Sequence, residues 1–334
     1  MPPFWAQRSA AGLALWPLSL GYRALVAVRR WLYRAGWRAR TRLPVPVIVV
    51  GNVVAGGAGK TPVVIALVQH LQARGLRPGV VSRGYGRRSQ GTQHVQADSS
   101  AHTVGDEPLL VARRCAVPVA VSERRGDAGR ALLARHPDTD VIVSDDGLQH
   151  LALARDIELC VFGAEGVGNG WLLPAGPLRE PWPRAVDFLL CAGAVPPGGS
   201  APAFALERRL ADTAIAADGR RVPLADLAGQ ALVAVAGTAR PEEFFAMLRA
   251  RGLAPTQTFA LPDHFDFDTW NPNTDKRQRL VCTEKDAPKL WPRFPDALAV
   301  PLELAIAPAF FAALDERLAQ TAQRPLSSPA RPPG

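Results

Sequence analysis

The first 42 residues contain no acidic residue and no lysine, yet they hold eight arginines, at positions 8, 23, 29, 30, 34, 38, 40 and 42. The rest of the chain is almost charge-balanced, so the net charge of +9 belongs to one arm. A globally basic nucleic-acid binder is therefore disfavoured, and no nucleic-acid partner is expected. Cysteine is scarce: Cys115, Cys160, Cys191 and Cys282 lie far apart and form no C-x-x-C pair. That argues against a disulfide framework and fits reduced thiols in a cytosolic protein. There are no internal repeats.

The arm also lacks an uncharged run long enough to cross a bilayer. The longest, Ser9 to Tyr22, has fourteen residues and contains Pro17. It reaches roughly 21 Å at about 1.5 Å per residue, against a hydrocarbon core of about 30 Å. Extending it buries Arg23, at about 2.5–3.5 kcal/mol. What the arm does have is four of the eight tryptophans (Trp5, Trp16, Trp31, Trp37) and two of the three tyrosines (Tyr22, Tyr33). Arginine with interfacial aromatics is the composition of a helix lying on a membrane surface. A secretory signal and a helix packed on its own domain are the rival readings; against the first, seven arginines follow the apolar run.

From residue 45 short β-branched runs alternate with helical stretches. Strands are expected at 47–50, 79–81, 117–121, 141–144, 159–162 and 188–190, with a helix over 62–74. This alternation predicts a parallel sheet covered on both faces. The Pro/Gly/Ser stretch "AVPPGGSAPA" at 194–203 reads as a linker. A smaller α/β segment follows, with strands in "ALVAVAG" and "LVCTEKD" and a helix in "RPEEFFAMLRARGL". The tail "QRPLSSPARPPG" is too proline-rich to fold. The expected divisions are a membrane-associated arm at 1–42, a larger α/β domain at 43–195, a smaller lobe with a hinge at 196–310, and a terminal helix and tail at 311–334.

The stretch "VIVVGNVVAGGAGKTPVV" is a strand, a glycine-rich turn and a helix. Gly56, Gly57, Ala58 and Gly59 form a turn whose N–H groups can face phosphate oxygens. The following helix adds its positive end. Lys60 suits the β- and γ-phosphates of ATP, and the Thr61 hydroxyl suits Mg2+. The spacing departs from the usual loop: the first glycine is replaced by Val54. A phosphate loop needs acids for its metal, and "DVIVSDDGLQH" supplies Asp145 and Asp146 at a strand end facing the same crevice. Asp106 and Glu107 stand at the mouth of a helix, where the residues alone favour Asp106 as an N-cap ahead of Pro108. His264 is a lone histidine with no zinc-like spacing around it. "SRGYGRR" presents Tyr85 and several arginines, and "LLPAGPLRE" presents Arg179 and Glu180 on a rigid loop.

Taken in order, "GNVVAGGAGKTP", "VVSRGYGR", "GDEPLLVARR", "PVAVSERRGDA", "VSDDGLQH", "GNGWLLPAGPLRE", "RPEEFF", "DH" at 263–264 and "TEKDA" resemble the tetraacyldisaccharide 4'-kinase family. The motifs span residues 51 to 287. The resemblance implies ATP- and Mg2+-dependent phosphorylation of the 4'-hydroxyl of a tetraacyl disaccharide 1-phosphate in lipid A biosynthesis, giving lipid IVA. The partners it implies are this lipid and a membrane surface, with a monomeric enzyme at the cytoplasmic face of the inner membrane. The implied fold is a P-loop NTPase-like α/β sheet with helices on both faces, a second smaller α/β lobe, and an N-terminal amphipathic membrane-associated helix. By the same resemblance Asp106 is the general base, paired with His264 across the lobes. Glu107 stands near Mg2+, and Arg125, Gln149, Arg179 and Glu180 line the site. Pro288 stands where the family pattern suggests a residue that continues a helix, and the segment before the last strand is irregular. Two other functions compete. A small-metabolite ligase has no use for the arm. A membrane-recruited ATPase switch commonly carries a lysine where this chain has Ala55.

Overall fold

The computed structural model describes residues 2–56, 59–272 and 278–322. Gly57 and Ala58 of the expected phosphate turn, and the whole proline-rich tail at 323–334, lie outside the described residues. Helices are α1 (Pro3–Ala6), α2 (Ala10–Arg34), α3 (Lys60–Ala73), α4 (Ala101–Val104), α5 (Asp106–Cys115), α6 (Arg125–Arg135), α7 (Pro241–Ala250), α8 (Ala287–Leu290) and α9 (Pro308–Ala322). Strands in the first part of the chain are β1 (Val47–Gly51), β2 (Pro78–Ser82), β3 (Gln93–Val95), β4 (Val119–Val121), β5 (Val141–Asp145), β6 (Ile157–Phe162), β7 (Phe188–Cys191) and β8 (Ala203–Leu210). Then come β9 (Thr213–Ile215), β10 (Arg221–Pro223), β11 (Leu232–Ala236), β12 (Gln257–Ala260), β13 (Arg279–Thr283), β14 (Leu298–Val300) and β15 (Leu302–Ile306).

The larger sheet has the order β15-β8-β7-β6-β1-β5-β2-β4-β3. Its centre is parallel, as the alternation predicts. Its two edges are not: β3 runs antiparallel to β4, and β15 antiparallel to β8. β3 is a short, partly exposed segment, and such an edge gives no long apolar run to read. Burial on both faces explains the continuous Val/Ile of β1. Ile48 and Val50 pack with Val63, Val64 and Leu67 of α3 on one face. Val47 and Val49 pack with Ala128 and Leu132 of α6 on the other. α3 starts at Lys60, two residues before the expected start, because Pro62 fits the first turn of a helix, where its missing N–H has no partner to lose.

The smaller sheet has the order β10-β9-β14-β13-β11-β12, parallel from β14 to β12. β8 and β15 connect the two sheets as an antiparallel pair. Leu206 sits in the core of the larger lobe and Leu210 in that of the smaller, so four residues of one strand cross from one to the other. Segment 194–203 links β7 to β8 within one sheet.

In the arm, Ser9 caps α2 by accepting from the Gly12 amide, and the helix runs unbroken through Pro17 for 25 residues. Length and composition alone would let it cross a membrane. Its only buried residues are Gly12 and Ser19. Leu13, Trp16, Leu20, Val28 and Trp31 are exposed and share one helical face. The opposite side is pinned to the larger lobe. Ser19 Oγ donates to the Leu172 carbonyl, Tyr22 Oη to that of Arg179 and Arg29 to that of Gln149, while Arg30 lies 3.9 Å from Glu180.

Candidate active site

β1 and β5 are neighbours, so the turn after Gly51 and the end at Asp145 open onto the same edge of the sheet. The Asn52 side chain is fully buried and donates to the Val54 carbonyl at 2.7 Å, which pins the turn. Val54, the residue that breaks the usual glycine spacing, is buried and bridges to Leu178. The turn is therefore paired with the loop that carries Arg179, and the Val54 side chain belongs to the same buried cluster as Leu178, packing that a glycine would lose. Gly59 enters α3 with φ of +75°, a left-handed conformation that glycine adopts without strain.

Lys60 is the first residue of α3, the wrong end of a helix for a cation. It is held by Asp146 at 3.4 Å and Asn52 Oδ1 at 3.4 Å. Asp146 also accepts two hydrogen bonds of 3.2 Å from Arg179. Burial acts to raise the Asp146 pKa, but Lys60 and Arg179 outweigh it and hold the carboxyl below its usual range. Its φ of +47° is uncommon for a side chain other than glycine and turns the carboxylate toward Lys60. Asp145 differs. Its Oδ1 is buried with no hydrogen-bond partner among the described residues. Burial and the neighbouring Asp146 push its pKa up to about 7. A buried, unpaired carboxylate oxygen beside a second carboxylate is costly unless a cation stands in front of it. With the Thr61 hydroxyl and Glu107 lining the same cavity, the donors are all hard oxygens, a set that fits Mg2+.

The cavity measures about 970 Å³ and is walled by both lobes and the arm. It is lined by Gly56, Gly59, Lys60, Thr61, Tyr85, Glu107, Arg125, Asp145, Asp146, Gln149, Arg179, Glu180 and His264, so the structure brings these sequence-selected residues together. Their roles in the wall differ. Arg125 is buried and donates to the Asp146 carbonyl at 2.9 Å, while its Nε has no partner among the described residues. Gln149 donates to Glu180 and to the Asn52 carbonyl, and Glu180 accepts from Arg184. These two polar groups brace the wall. Tyr85 is exposed, with its ring 5.3 Å from that of His264.

The second lobe closes the cavity. His264 Nδ1 lies 2.8 Å from Asp106 Oδ2, and Lys289 Nζ donates to the same oxygen at 2.8 Å. Asp106 is the first residue of α5 and its carboxylate makes no capping bond, so the N-cap reading does not hold; Gly105 occupies the cap. Burial raises the Asp106 pKa, but hydrogen bonds from His264 and Lys289 win and lower it. The Asp106 hydrogen bond in turn raises the His264 pKa above 6.5, against burial. His264 has φ of +61°, strain that Asp106 and the Gly237 carbonyl hold in place.

Sequence reasoning assigned no role to Lys285, Lys289 and Asp263. Lys285 reaches Asp263 at 2.7 Å and Glu107 at 3.3 Å. "TEKDA" and "DH" contained two of the three, and the signal for Lys289 was its place one turn further on. Pro288 falls in the first turn of α8, which tolerates it.

Comparisons with known proteins identify the family. A family model described as "LpxK: Tetraacyldisaccharide-1-P 4'-kinase" matches residues 11–319. The tetraacyldisaccharide 4'-kinase of Acidovorax sp. (strain JS42) is 65% identical over 315 residues, covering 94% of this chain and 93% of that protein. The protein of that name from Delftia acidovorans is 54% identical, covering 96% of this chain and 95% of its own. A crystal structure of LpxK from Aquifex aeolicus, described in complex with ATP, superposes with a TM-score of 0.81 at 29% identity. It covers 92% of this chain and 99% of that one. With a family model matching most of its length and relatives matched over nearly their whole length, the chain belongs to the tetraacyldisaccharide 4'-kinase family.

Proposed function

We propose that this tetraacyldisaccharide 4'-kinase of lipid A biosynthesis binds ATP at the turn after β1. It transfers the γ-phosphoryl group to the 4'-hydroxyl of a tetraacyl disaccharide 1-phosphate, with Asp106 as general base acting together with His264. The observation that carries the reading is the 2.8 Å contact between Asp106 and His264 across the lobes, beside the cavity that Lys60 lines.

A sugar hydroxyl is a poor nucleophile, so a base must take its proton as the phosphoryl group moves. His264 lines the cleft, whereas Asp106 lies behind it, 7% exposed. The ring therefore meets the hydroxyl and relays its proton, while Asp106, hydrogen-bonded to Nδ1, is the base that takes the proton this nitrogen releases. Hydrogen bonds from His264 and Lys289 keep Asp106 ionised for that task against its burial. Lys60 and Arg179 are placed to receive negative charge on the phosphates. Thr61, Glu107, Asp145 and Asp146 would hold Mg2+, which when bound neutralises phosphate oxygens. Because the base pair exists only where the lobes meet, closure excludes water and limits wasteful hydrolysis.

The arm brings the enzyme to its lipid. It is pinned to the larger lobe at Ser19, Tyr22, Arg29 and Arg30, contacts that a bilayer-crossing helix would break. It therefore lies along the cytoplasmic face of the inner membrane with Leu13, Trp16 and Trp31 inward. Each arginine near an anionic leaflet adds about 1 kcal/mol.

The test is γ-phosphate transfer from ATP to the 1-phosphorylated tetraacyl disaccharide in mixed micelles. Lipid-dependent transfer is expected. ATP hydrolysis that ignores the lipid, with no phosphorylated product, overturns the reading in favour of an ATPase switch.

A further inference from the structure

We propose that Arg208, on the strand joining the lobes, binds the terminal phosphates of the nucleoside triphosphate at the turn, a role that rests on the ATP reading above. Arg208 lies on β8 and its guanidinium packs over Gly59. A Cβ on Gly59 would lie 2.6 Å from Arg208 Nη2 and 3.1 Å from Nε. Glycine at 59 thus serves a second purpose beyond its positive φ: it leaves room for the arginine.

The guanidinium is half used. Nη1 donates to Glu243 Oε2 at 2.7 Å, which fixes the side chain. Nε and Nη2 are buried with no hydrogen-bond partner among the described residues. These two atoms form one edge of the planar group, the fork that matches two oxygens of a phosphate or carboxylate. Leaving both buried and unpaired is costly. The edge borders the residue that precedes Lys60, at the positive end of α3, where an anion is favoured. A phosphate on the turn would meet the fork from one side and Lys60 from the other.

The position adds a consequence. Two residues before Arg208, Leu206 packs in one core, and two residues after it, Leu210 packs in the other. Glu243, its anchor on α7, also accepts from Arg240, which pairs with Glu165 of the larger lobe. Phosphate held by this fork is held by the connection between lobes, so nucleotide occupancy and lobe position are linked through one side chain.

The test is calorimetric affinity of the full-length protein for ATP, ADP and AMP in Mg2+, for wild type, Arg208→Gln, Arg208→Lys and Glu243→Gln, with melting curves to establish folding. Arg208→Gln should weaken ATP roughly ten- to a hundredfold and leave AMP unchanged. Arg208→Lys keeps the charge without the fork and should fall between. Glu243→Gln loosens the anchor and should cost less. Equal weakening for ATP and AMP would mean a structural role and overturns the proposal, as does wild-type ATP affinity in Arg208→Gln. If Arg208→Gln does not fold, the ATP-to-AMP ratio in Arg208→Lys decides by the same criterion. A wild type that does not bind ATP removes the nucleotide reading itself, a failure distinct from one confined to the variants.

Discussion

The two walls of the cleft are assembled differently. The larger lobe supplies Lys60 from the start of α3, after β1, and Asp145 and Asp146 from the end of β5; β1 and β5 are adjacent parallel strands, so both connections open onto one edge of the sheet. The smaller lobe supplies His264, Lys285 and Lys289 from an irregular segment, a strand end and a four-residue helix. Those groups are held within their own lobe by Asp263 and the Gly237 and Phe265 carbonyls, and they pair across the cleft with Asp106 and Glu107. On the proposed function the first wall binds phosphate and the second removes the proton. Phosphate binding and proton removal should therefore fail separately.

Lys60→Ala and Asp106→Ala test that separation with the largest effects. Each should lower transfer by about 10²–10³-fold, the scale of losing a preorganised charge contact or a general base. Lys60→Ala should also weaken ATP binding, whereas Asp106→Ala should leave it near wild type. ATP titrations beside transfer rates separate the two. Equal loss of ATP affinity in both variants would erase the distinction between the walls.

The proton wall can be read by titration. The Asp106 hydrogen bond is the main cause that raises His264 above 6.5 in the folded protein. The sign follows: the interlobe contact is stabilised most below pH 6.5 and loses that contribution as pH rises through the raised value. Activity that needs a neutral ring should rise over the same interval. Asp106→Asn should move the His264 midpoint down toward 6.5, followed by imidazole proton resonances. An unmoved midpoint would show that the pair is not coupled in solution.

The smallest effect should come from the arm. Tyr22→Phe removes one hydrogen bond of 2.8 Å to the Arg179 carbonyl, about 0.5–1.5 kcal/mol. Transfer should fall by no more than about tenfold, because Arg179 still pairs with Asp146 through its side chain. Lipid KM measured beside kcat tells whether the arm only delivers the enzyme or also braces the phosphate wall. A loss as large as that of Lys60→Ala would place the arm inside the catalytic apparatus.

Groups of the phosphate wall could be read from contiguous motifs, because a strand, a turn and a helix start are local events. The departure at Val54 has a packing reason that spacing does not record: its side chain lies in one buried cluster with Leu178. Asp106 could be selected only through family resemblance: at a helix start, a cap and a base have the same sequence signature. Arg208 carried no signal, since one arginine in an alternating strand resembles any solvated side chain.

The sequence by itself determined the covered parallel centre of the larger sheet, the phosphate turn, the acid pair and the isolation of positive charge in one arm. Each follows from neighbours within one element or one turn. Tertiary structure alone decided that Asp106 meets His264 and Lys289 rather than capping its helix, that β8 and β15 tie the lobes together, and that Arg208 turns an unpaired edge toward Gly59. These contacts join residues far apart in the chain. Their free energy comes from burying and pairing charge, which no local periodicity records.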